Sequence, residues 1–298
     1  MRIVSLGEIL WDVIGDSEYL GGAPLNFAAH ASKLGHEVFL VSAVGDDERG
    51  RRAREILKRL GVSSEFVEVI PGRATGTAEV DLDPAGKPLF RIVRPAAYDF
   101  VTLTPGLRKR IVDLDPTWIY FGTLYHNSEM ALGGTTKLLD EMPLVSRIYD
   151  VNLRDGNWNL AAVERLASQA NVIKLSDSEA EFLDASLDSE GGHSSIRHFC
   201  ERWSDQYNCR IVCVTLGERG CAIYECGEYM EVPGQRVGVA DTVGAGDAFA
   251  AALIHGLDQG WRLQRCGEFA NAVAALVASR PGAIPEWSLE EAWPILNG

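Results

Sequence analysis

The chain has 298 residues, 28 basic and 42 acidic, for a formal net charge of −14, with 46% hydrophobic and 23% charged residues. That is ordinary globular composition, long enough to bury a core without disulfides or a structural metal. The acidic balance argues against nucleic-acid and membrane-surface partners, and no apolar run approaches the ~18–20 residues of a membrane span.

Met1–Asp16 reads as strand interrupted by Glu8 and Asp12, without signal-peptide anatomy, so a soluble cytoplasmic protein is expected. Arg2–Leu6 is the first β-branched run. Gly21–Gly35 reads as a turn, a helix entered through Pro24, and a stop at Gly35. Val38–Val44 is a second strand, and Glu48–Leu60 an amphipathic helix with Ala53, Ile56, Leu57 and Leu60 on one stripe, closed by Gly61. From Ala74 to Val93 the text changes: Ala78, Val80 and Leu82 alternate with Glu79 and Asp81, and Asp83-Pro84-Ala85-Gly86 is a turn. This predicts a hairpin with one polar face. Strands follow at Trp118–Phe121, Arg147–Val151, Val172–Leu175 and Arg210–Thr215. Helices follow at Glu129–Glu141, Leu160–Ala170, Ser195–Gln206, Ala245–Gln259 and Leu263–Ala278, with a second hairpin around Gly227. The alternation predicts one α/β domain over 1–298, a mostly parallel sheet covered on both faces, with a small β appendage.

Cys200, Cys209, Cys213, Cys221, Cys226 and Cys266 form no CxxC pair and no common zinc spacing, so free thiols are expected. His30, His36, His126, His193, His198 and His255 are scattered, without metal-ligand spacing; His30 reads as a hydrogen bonder at the core edge. Trp158 and Trp203 read as packing residues, and the alanine-rich Leu263–Ala278 as close helix packing.

Ligands of open α/β sheets bind beyond the carboxyl ends of the strands. The polar residues there are Glu8 and Asp12; Asp150, Asn152 and Arg154; Ser176 and Glu179; and Thr215 with Gly217. The strongest local signal is Asp241-Thr242-Val243-Gly244-Ala245-Gly246-Asp247-Ala248-Phe249. Two glycines before a small-residue helix present main-chain N–H groups as an anion site that needs no cation, and Asp247 beside it is placed to take a proton from an attacking hydroxyl. The same text also fits a capped helix with Asp247 on the helix dipole. No GxxxxGK[ST] is present, Gly244-Ala245-Gly246 lacks the third glycine of a dinucleotide fold, and no HRD or DFG set exists; a nicotinamide dehydrogenase is disfavoured. A second, weaker signal is Gly21-Gly22-Ala23-Pro24-Leu25-Asn26, where paired glycines admit a ligand close to the backbone and Asn26 suits vicinal hydroxyls.

Together these segments resemble the ribokinase-like sugar kinases, the PfkB family. Val44-Gly45-Asp46-Asp47 with Gly50, Asp150-Val151-Asn152-Leu153-Arg154 and Thr215-Leu216-Gly217-Glu218-Arg219-Gly220 stand in family order between the two signatures. The resemblance implies a ribokinase-like fold, ATP and magnesium as cofactors, and a small-molecule sugar as partner. It implies Asp247 as catalytic base, with Gly244, Ala245 and Gly246 as the anion hole, and Asp12, Gly21, Gly22 and Asn26 as sugar-binding positions. Thr215, Gly217 and Gly220 fall on the nucleotide side, and Asn271 near the adenine. Glu179 matches the acidic end of an NxxE motif that helps hold magnesium through water, with Ser176 where the family has asparagine. Asp241 lies where some members bind a monovalent cation such as potassium. The hairpin matches a lid, made of segments about 10–22 and 72–100, that covers the sugar with its polar face; such lids often also mediate homodimers. Here only Val13–Leu20 separates Asp12 from Gly21.

Gly7-Glu8-Ile9-Leu10-Trp11-Asp12, Asp150–Arg154 and Lys174-Leu175-Ser176-Asp177-Ser178-Glu179 look most like fructokinases. A 2-keto-3-deoxygluconate-type sugar-acid kinase is the runner-up, with Arg91, Arg94 or Arg154 as carboxylate partner. Arg154 beside Asn152 suits a bidentate clamp on a phosphate or a sugar acid. A non-catalytic sugar sensor on the same fold is the alternative of a different class.

Overall fold

The structure, a computed structural model, describes residues 1–82, 88–187 and 195–292. The expected turn at Asp83-Pro84-Ala85-Gly86 and His193 lie outside the described residues.

The first apolar run forms β1 (Arg2–Leu6), which pairs in parallel with β4 (Glu37–Gly45) on one side and β8 (Trp118–Gly122) on the other. Beyond β4 lies β5 (Val62–Ile70). Beyond β8 come β9 (Ser146–Asp150), β10 (Val172–Ser176) and β11 (Ile211–Thr215), all parallel. An antiparallel hairpin, β12 (Gly220–Glu225) and β13 (Glu228–Pro233), closes that edge. The central strands are mostly apolar and every residue of β8 is buried, as a sheet covered on both faces requires.

One face is covered by α1 (Ala23–Lys33), α2 (Glu48–Arg59), α8 (Ala245–Asp258) and α9 (Leu263–Ala278). The other carries α3 (Pro105–Asp113), α4 (Glu129–Asp140), α5 (Leu160–Ala167), α6 (Asp177–Leu187) and α7 (Ile196–Tyr207). Ala28 and Ala31 of α1 and Ala248, Ala251 and Ala252 of α8 share one core, and the two helices pack directly on each other. Small side chains let those backbones approach closely, which later brings residues 221 positions apart into contact.

A second, four-stranded sheet is built from β2 (Leu10–Ile14), β3 (Ser17–Gly21), β6 (Gly76–Leu82) and β7 (Pro88–Val93), in the order β3-β2-β6-β7. Asp12 and Ala78 are register partners, as are Ala78 and Ile92, so these residues share a face. Leu10, Ala78 and Leu124 with Ile92 make a small apolar cluster there. The expected polar lid face therefore points the other way: Glu79 and Arg91 pair with each other across β6 and β7, with Arg91 exposed and Glu79 half-buried. The reason is the two-residue period itself, which puts Glu79 opposite to Ala78.

The Val44–Gly50 motif roots this sheet. Asp47 caps α2 by accepting from Gly50 N–H at 2.7 Å, and also accepts from Thr75 N–H at 2.8 Å and Thr75 O–H at 2.6 Å. The same Thr75 oxygen accepts from Gly45 N–H at 2.9 Å. Glu18 of β3 accepts from Arg49 and Arg52 of α2, tying the second sheet to the main body. Of the cysteines, all are free and five are buried, while Cys226 is exposed on the β12–β13 turn. Among the described residues no helix is long and apolar enough to cross a membrane.

Candidate active site

The carboxyl ends of β1, β9, β10 and β11 and the amino-terminal ends of α1 and α8 meet at one place. Gly244 enters α8 with φ of 79°, a left-handed conformation that favours glycine. A Cβ on Gly244 would overlap the carbonyl oxygen of Ala283 and lie 2.7 Å from that residue's Cα. The amides of Gly246 and Asp247 belong to a first helical turn, which offers no intrahelical acceptor. The N–H of Ala245 instead donates to Thr242 O within the turn, at 3.3 Å. The turn is braced from outside. Asp241 accepts from Val243 N–H and Gly282 N–H, both at 3.0 Å. His30 hydrogen-bonds Ala283 O at 3.0 Å and accepts from Trp287 Nε1 at 3.1 Å, and burial holds it down to about 4, so it is neutral.

Asp247 is 9% exposed and accepts from Asn26 Nδ2 at 2.8 Å across the α1–α8 contact. Burial pushes its carboxyl up to about 7; the negative charge of Asp150 adds to this, and Lys174, the Asn26 hydrogen bond and Arg154 oppose it. The other amide atom of Asn26, Oδ1, is buried without a hydrogen-bond partner among the described residues. Asp12 is half-buried, with burial raising it to about 6 against the pull of Arg154. Gly21 stands beside it: a Cβ there would lie 3.0 Å from Asp12 Oδ2 and 4.0 Å from Asn26 Oδ1. At Gly22, with φ of 113°, a Cβ would lie 2.5 Å from Glu8 O, so that glycine keeps α1 against the strand end.

Arg154 is exposed and makes no salt bridge among the described residues, yet its charge acts on Glu8, Asp12 and Asp247 together. Arg94 is bound instead by Asp99 and Arg91 by Glu79, so each already has a carboxylate. Glu179 accepts from Leu153 N–H at 2.6 Å, and from Ser176 N–H and Ser176 O–H at 2.8 Å each. It thereby joins the ends of β9 and β10, and Ser176 is engaged with the glutamate. Thr215 reaches Leu175 O at 3.4 Å. Gly217 has φ of 60° in an exposed turn, and Gly220 has φ of 100° with no room for a Cβ against β13. The Asn271 amide donates to Val232 O and Pro233 O, both at 3.1 Å, tying α9 to β13.

The fold and this cluster agree with the family comparison. A model of the pfkB family carbohydrate kinases matches residues 3–290. The chain belongs to that family. Fructokinase-2 of Solanum lycopersicum is 31% identical over 325 residues, covering 99% of this chain and 96% of the relative. A fructokinase structure from Vibrio cholerae, with fructose, ADP and calcium ion bound, is 25% identical with a TM-score of 0.82, covering 99% of this chain and 98% of that one. An uncharacterized sugar kinase from Pyrococcus horikoshii in complex with ATP is 27% identical with a TM-score of 0.83, covering 98% and 99%. The carbohydrate kinase is thus fructokinase-like by its relatives.

Sequence reasoning placed Glu8 at a strand end without giving it a role, and missed Lys174 and Tyr120. Glu8 is fully buried, and its carboxyl takes hydrogen bonds from its own N–H and that of Ala23, at the start of α1 where Gly22 has no side chain to cap with. Lys174 donates to both oxygens of Asp150, at 3.0 and 3.1 Å, and Tyr120 O–H donates to Asp150 at 3.2 Å. A lysine inside the apolar run Val172–Leu175 was the available signal, since an unpaired ammonium is not stable there. A separate cavity of about 610 Å3, lined by Trp118, Ser146, Arg210 and Trp261 among others, contains none of the site residues.

Proposed function

We propose that this carbohydrate kinase transfers the γ-phosphoryl group of ATP to a primary hydroxyl of a free sugar, fructose first, with Asp247 as general base. The observation that carries this reading is a carboxyl buried at the first turn of α8, gripped by Asn26 at 2.8 Å and lifted to about 7. A base with that proton affinity is matched to a reaction near neutral pH.

Asn26 uses its N–H on Asp247 and keeps Oδ1 for a sugar hydroxyl, which answers why a buried acceptor is left without a partner. Asp12 is the second hydroxyl partner, and bare Gly21 leaves the space between them open. The hydroxyl oxygen bonds to the γ-phosphorus as the bond to the β,γ-bridging oxygen breaks. ADP leaves with that electron pair, and the hydroxyl proton passes to Asp247. The Gly244–Gly246 turn and the amides of the first turn of α8 stabilise charge on the transferring group. Ser176, Thr215, Gly217, Gly220 and Asn271 form the nucleotide side, and the four-stranded sheet closes over the sugar and excludes water.

Magnesium supplies neutralisation of phosphate charge when it binds with the nucleotide. Glu179 fits an outer role: three donors already occupy its carboxylate, leaving about one acceptor position of four for a coordinated water. Among the described residues no group of three or more His, Cys, Asp or Glu is arranged to hold a metal alone. Asp241 carries one amide on each oxygen and retains acceptor capacity suited to potassium.

Fructose is favoured by the fructokinase relatives and by the fructose bound in the Vibrio cholerae neighbour. One observation favours a sugar acid instead: Arg154 is a cation near Asp12 with no salt bridge among the described residues. A panel of sugars and sugar acids with coupled ADP detection separates the two. Turnover on the acid and none on fructose would reverse the substrate assignment. Asp247→Asn is expected to keep sugar binding and lose about 10²–10⁴ in kcat; near-parental turnover would remove the base, and a parent that binds sugar without ever releasing ADP would be a sensor.

A further inference from the structure

Three buried charges lie side by side behind the phosphoryl-transfer turn, and the chemistry above uses only one of them. Asp150 ends β9 and is fully buried; Lys174, on β10, is 7% exposed; Asp247 opens α8. Asp150 receives three hydrogen bonds, two from Lys174 and one from Tyr120; burial raises its proton affinity, and the paired Lys174 ammonium opposes that and favours the carboxylate. The Lys174 ammonium also reaches α8: a Cβ on Gly246 would lie 3.1 Å from Nζ. The glycine at that position therefore leaves room for the ammonium as well as for the ligand.

We propose that Asp150 and Lys174 form a positioning unit for Asp247, with Lys174 wedged between the end of β9 and the first turn of α8 and Asp150 held as a fixed negative charge behind the base. The inference rests on Asp247 being that base. Burying two charges is costly unless they are paired and hydrogen-bonded, and a packed apolar pair would serve a core equally well. What the ionic pair adds is electrostatic. Burial lifts the proton affinity of Asp247; the Asp150 charge raises it further and Lys174 lowers it, so the two charges oppose each other at the base and either one left alone would shift it. The other groups facing these three are Asn26 from α1, Tyr120 from β8, Arg154 beyond β9 and Glu179 from α6. Asn26 hydrogen-bonds Asp247 and Tyr120 hydrogen-bonds Asp150, whereas Lys174 reaches both Asp150 and the α8 turn.

The test is the acid limb of the kcat/KM–pH profile. Asp150→Asn removes the charge that raises Asp247 and frees Lys174 to attract it, so the limb is expected to move down by about 1 pH unit or more, the usual size of such an effect. The double variant Asp150→Asn/Lys174→Met removes both opposing charges, and its limb is expected back within about half a unit of the parent. A merely structural pair would lower the melting temperature without moving the limb. An unmoved limb in Asp150→Asn, or a double variant no closer to the parent than the single, overturns the proposal. Should Asp150→Asn fail to fold, Lys174→Met decides: without its ammonium, Asp150 is expected to appear as a new protonated carboxyl in the infrared spectrum of ¹³C-aspartate-labelled protein near neutral pH, and its absence overturns the proposal. Failure of the parent reading looks different, because Asp247→Asn would then turn over normally whatever the limb does.

Discussion

Gly244→Ala tests the anion turn without touching a charge. Two costs arise from the structure. Alanine at φ of 79° costs about 1–2 kcal/mol from the left-handed backbone alone. The added methyl would lie 2.7 Å from Ala283 Cα and 2.8 Å from its carbonyl carbon, whereas carbons pack at about 3.5–4.0 Å. Either the turn or residues 281–283 must then move by about 1 Å. The Ala283 side is poorly placed to yield, because His30 holds Ala283 O and Asp241 holds Gly282 N–H, each at 3.0 Å. Much of the displacement therefore falls on the turn, and a misplacement of about 1 Å is expected to lower kcat by about 10²-fold. The total stability loss is expected at about 2–4 kcal/mol. The assay pairs initial rates at saturating sugar and ATP with calorimetric sugar binding, which the proposed site assigns to α1 and β2 and which is expected to change little. Parental kcat, with an unchanged melting temperature, would refute the placement of the anion site at Gly244.

Two further outcomes follow from the charges. Asp247 titrates at about 7 in the folded protein against an ordinary 3.8; the folded state therefore binds the proton more tightly than the unfolded chain, and stability falls as pH rises from about 4 to about 7. Asp247→Asn escapes that loss, so its stability at pH 8 is expected to exceed the parent's, by at most about 4 kcal/mol, while kcat collapses; a variant that melts lower at pH 8 would contradict the burial argument. Arg154→Gln removes the cation shared by Asp12, Glu8 and Asp247. Its sugar KM is expected to rise about 10- to 100-fold, the value of a charged hydrogen bond, and an unchanged KM for every substrate turned over would take Arg154 out of the sugar site.

The elements most legible in the sequence were those whose signals are local. The glycine turn at Gly244, Pro24 at the start of α1 and the apolar runs of β1, β8 and β11 each announce themselves within a few residues. Elements without such punctuation went unread. In α6, Asp177 follows Ser176 of β10 with no intervening turn, so no breaker marks the boundary. The strand β5 runs along the sheet edge with exposed Glu65 and Glu68 breaking its alternation. The short β3, half-exposed at the edge of the second sheet, gave no periodicity to count. The helix α3 did carry a start signal, Thr104 capping Leu107 N–H ahead of Pro105, which was passed over.

The site divides the same way. Asn26 and Asp247 are each readable as residues at the start of a helix, but their 2.8 Å contact depends on α1 and α8 packing side by side. Asp150, Lys174 and Tyr120 come from three adjacent strands, and only strand order makes them neighbours. Even the inner face of the second sheet was misjudged from its alternation, because a period of two shows which residues share a face without showing which face is covered.

The most direct test is a crystal structure of the kinase with fructose and a non-hydrolysable ATP analogue. A primary hydroxyl of the sugar is expected within about 2.6–3.2 Å of an Asp247 oxygen, in line with the γ-phosphorus analogue seated on the Gly244–Gly246 turn. A complex in which no sugar hydroxyl approaches Asp247, or in which the phosphate lies away from that turn, would contradict the account.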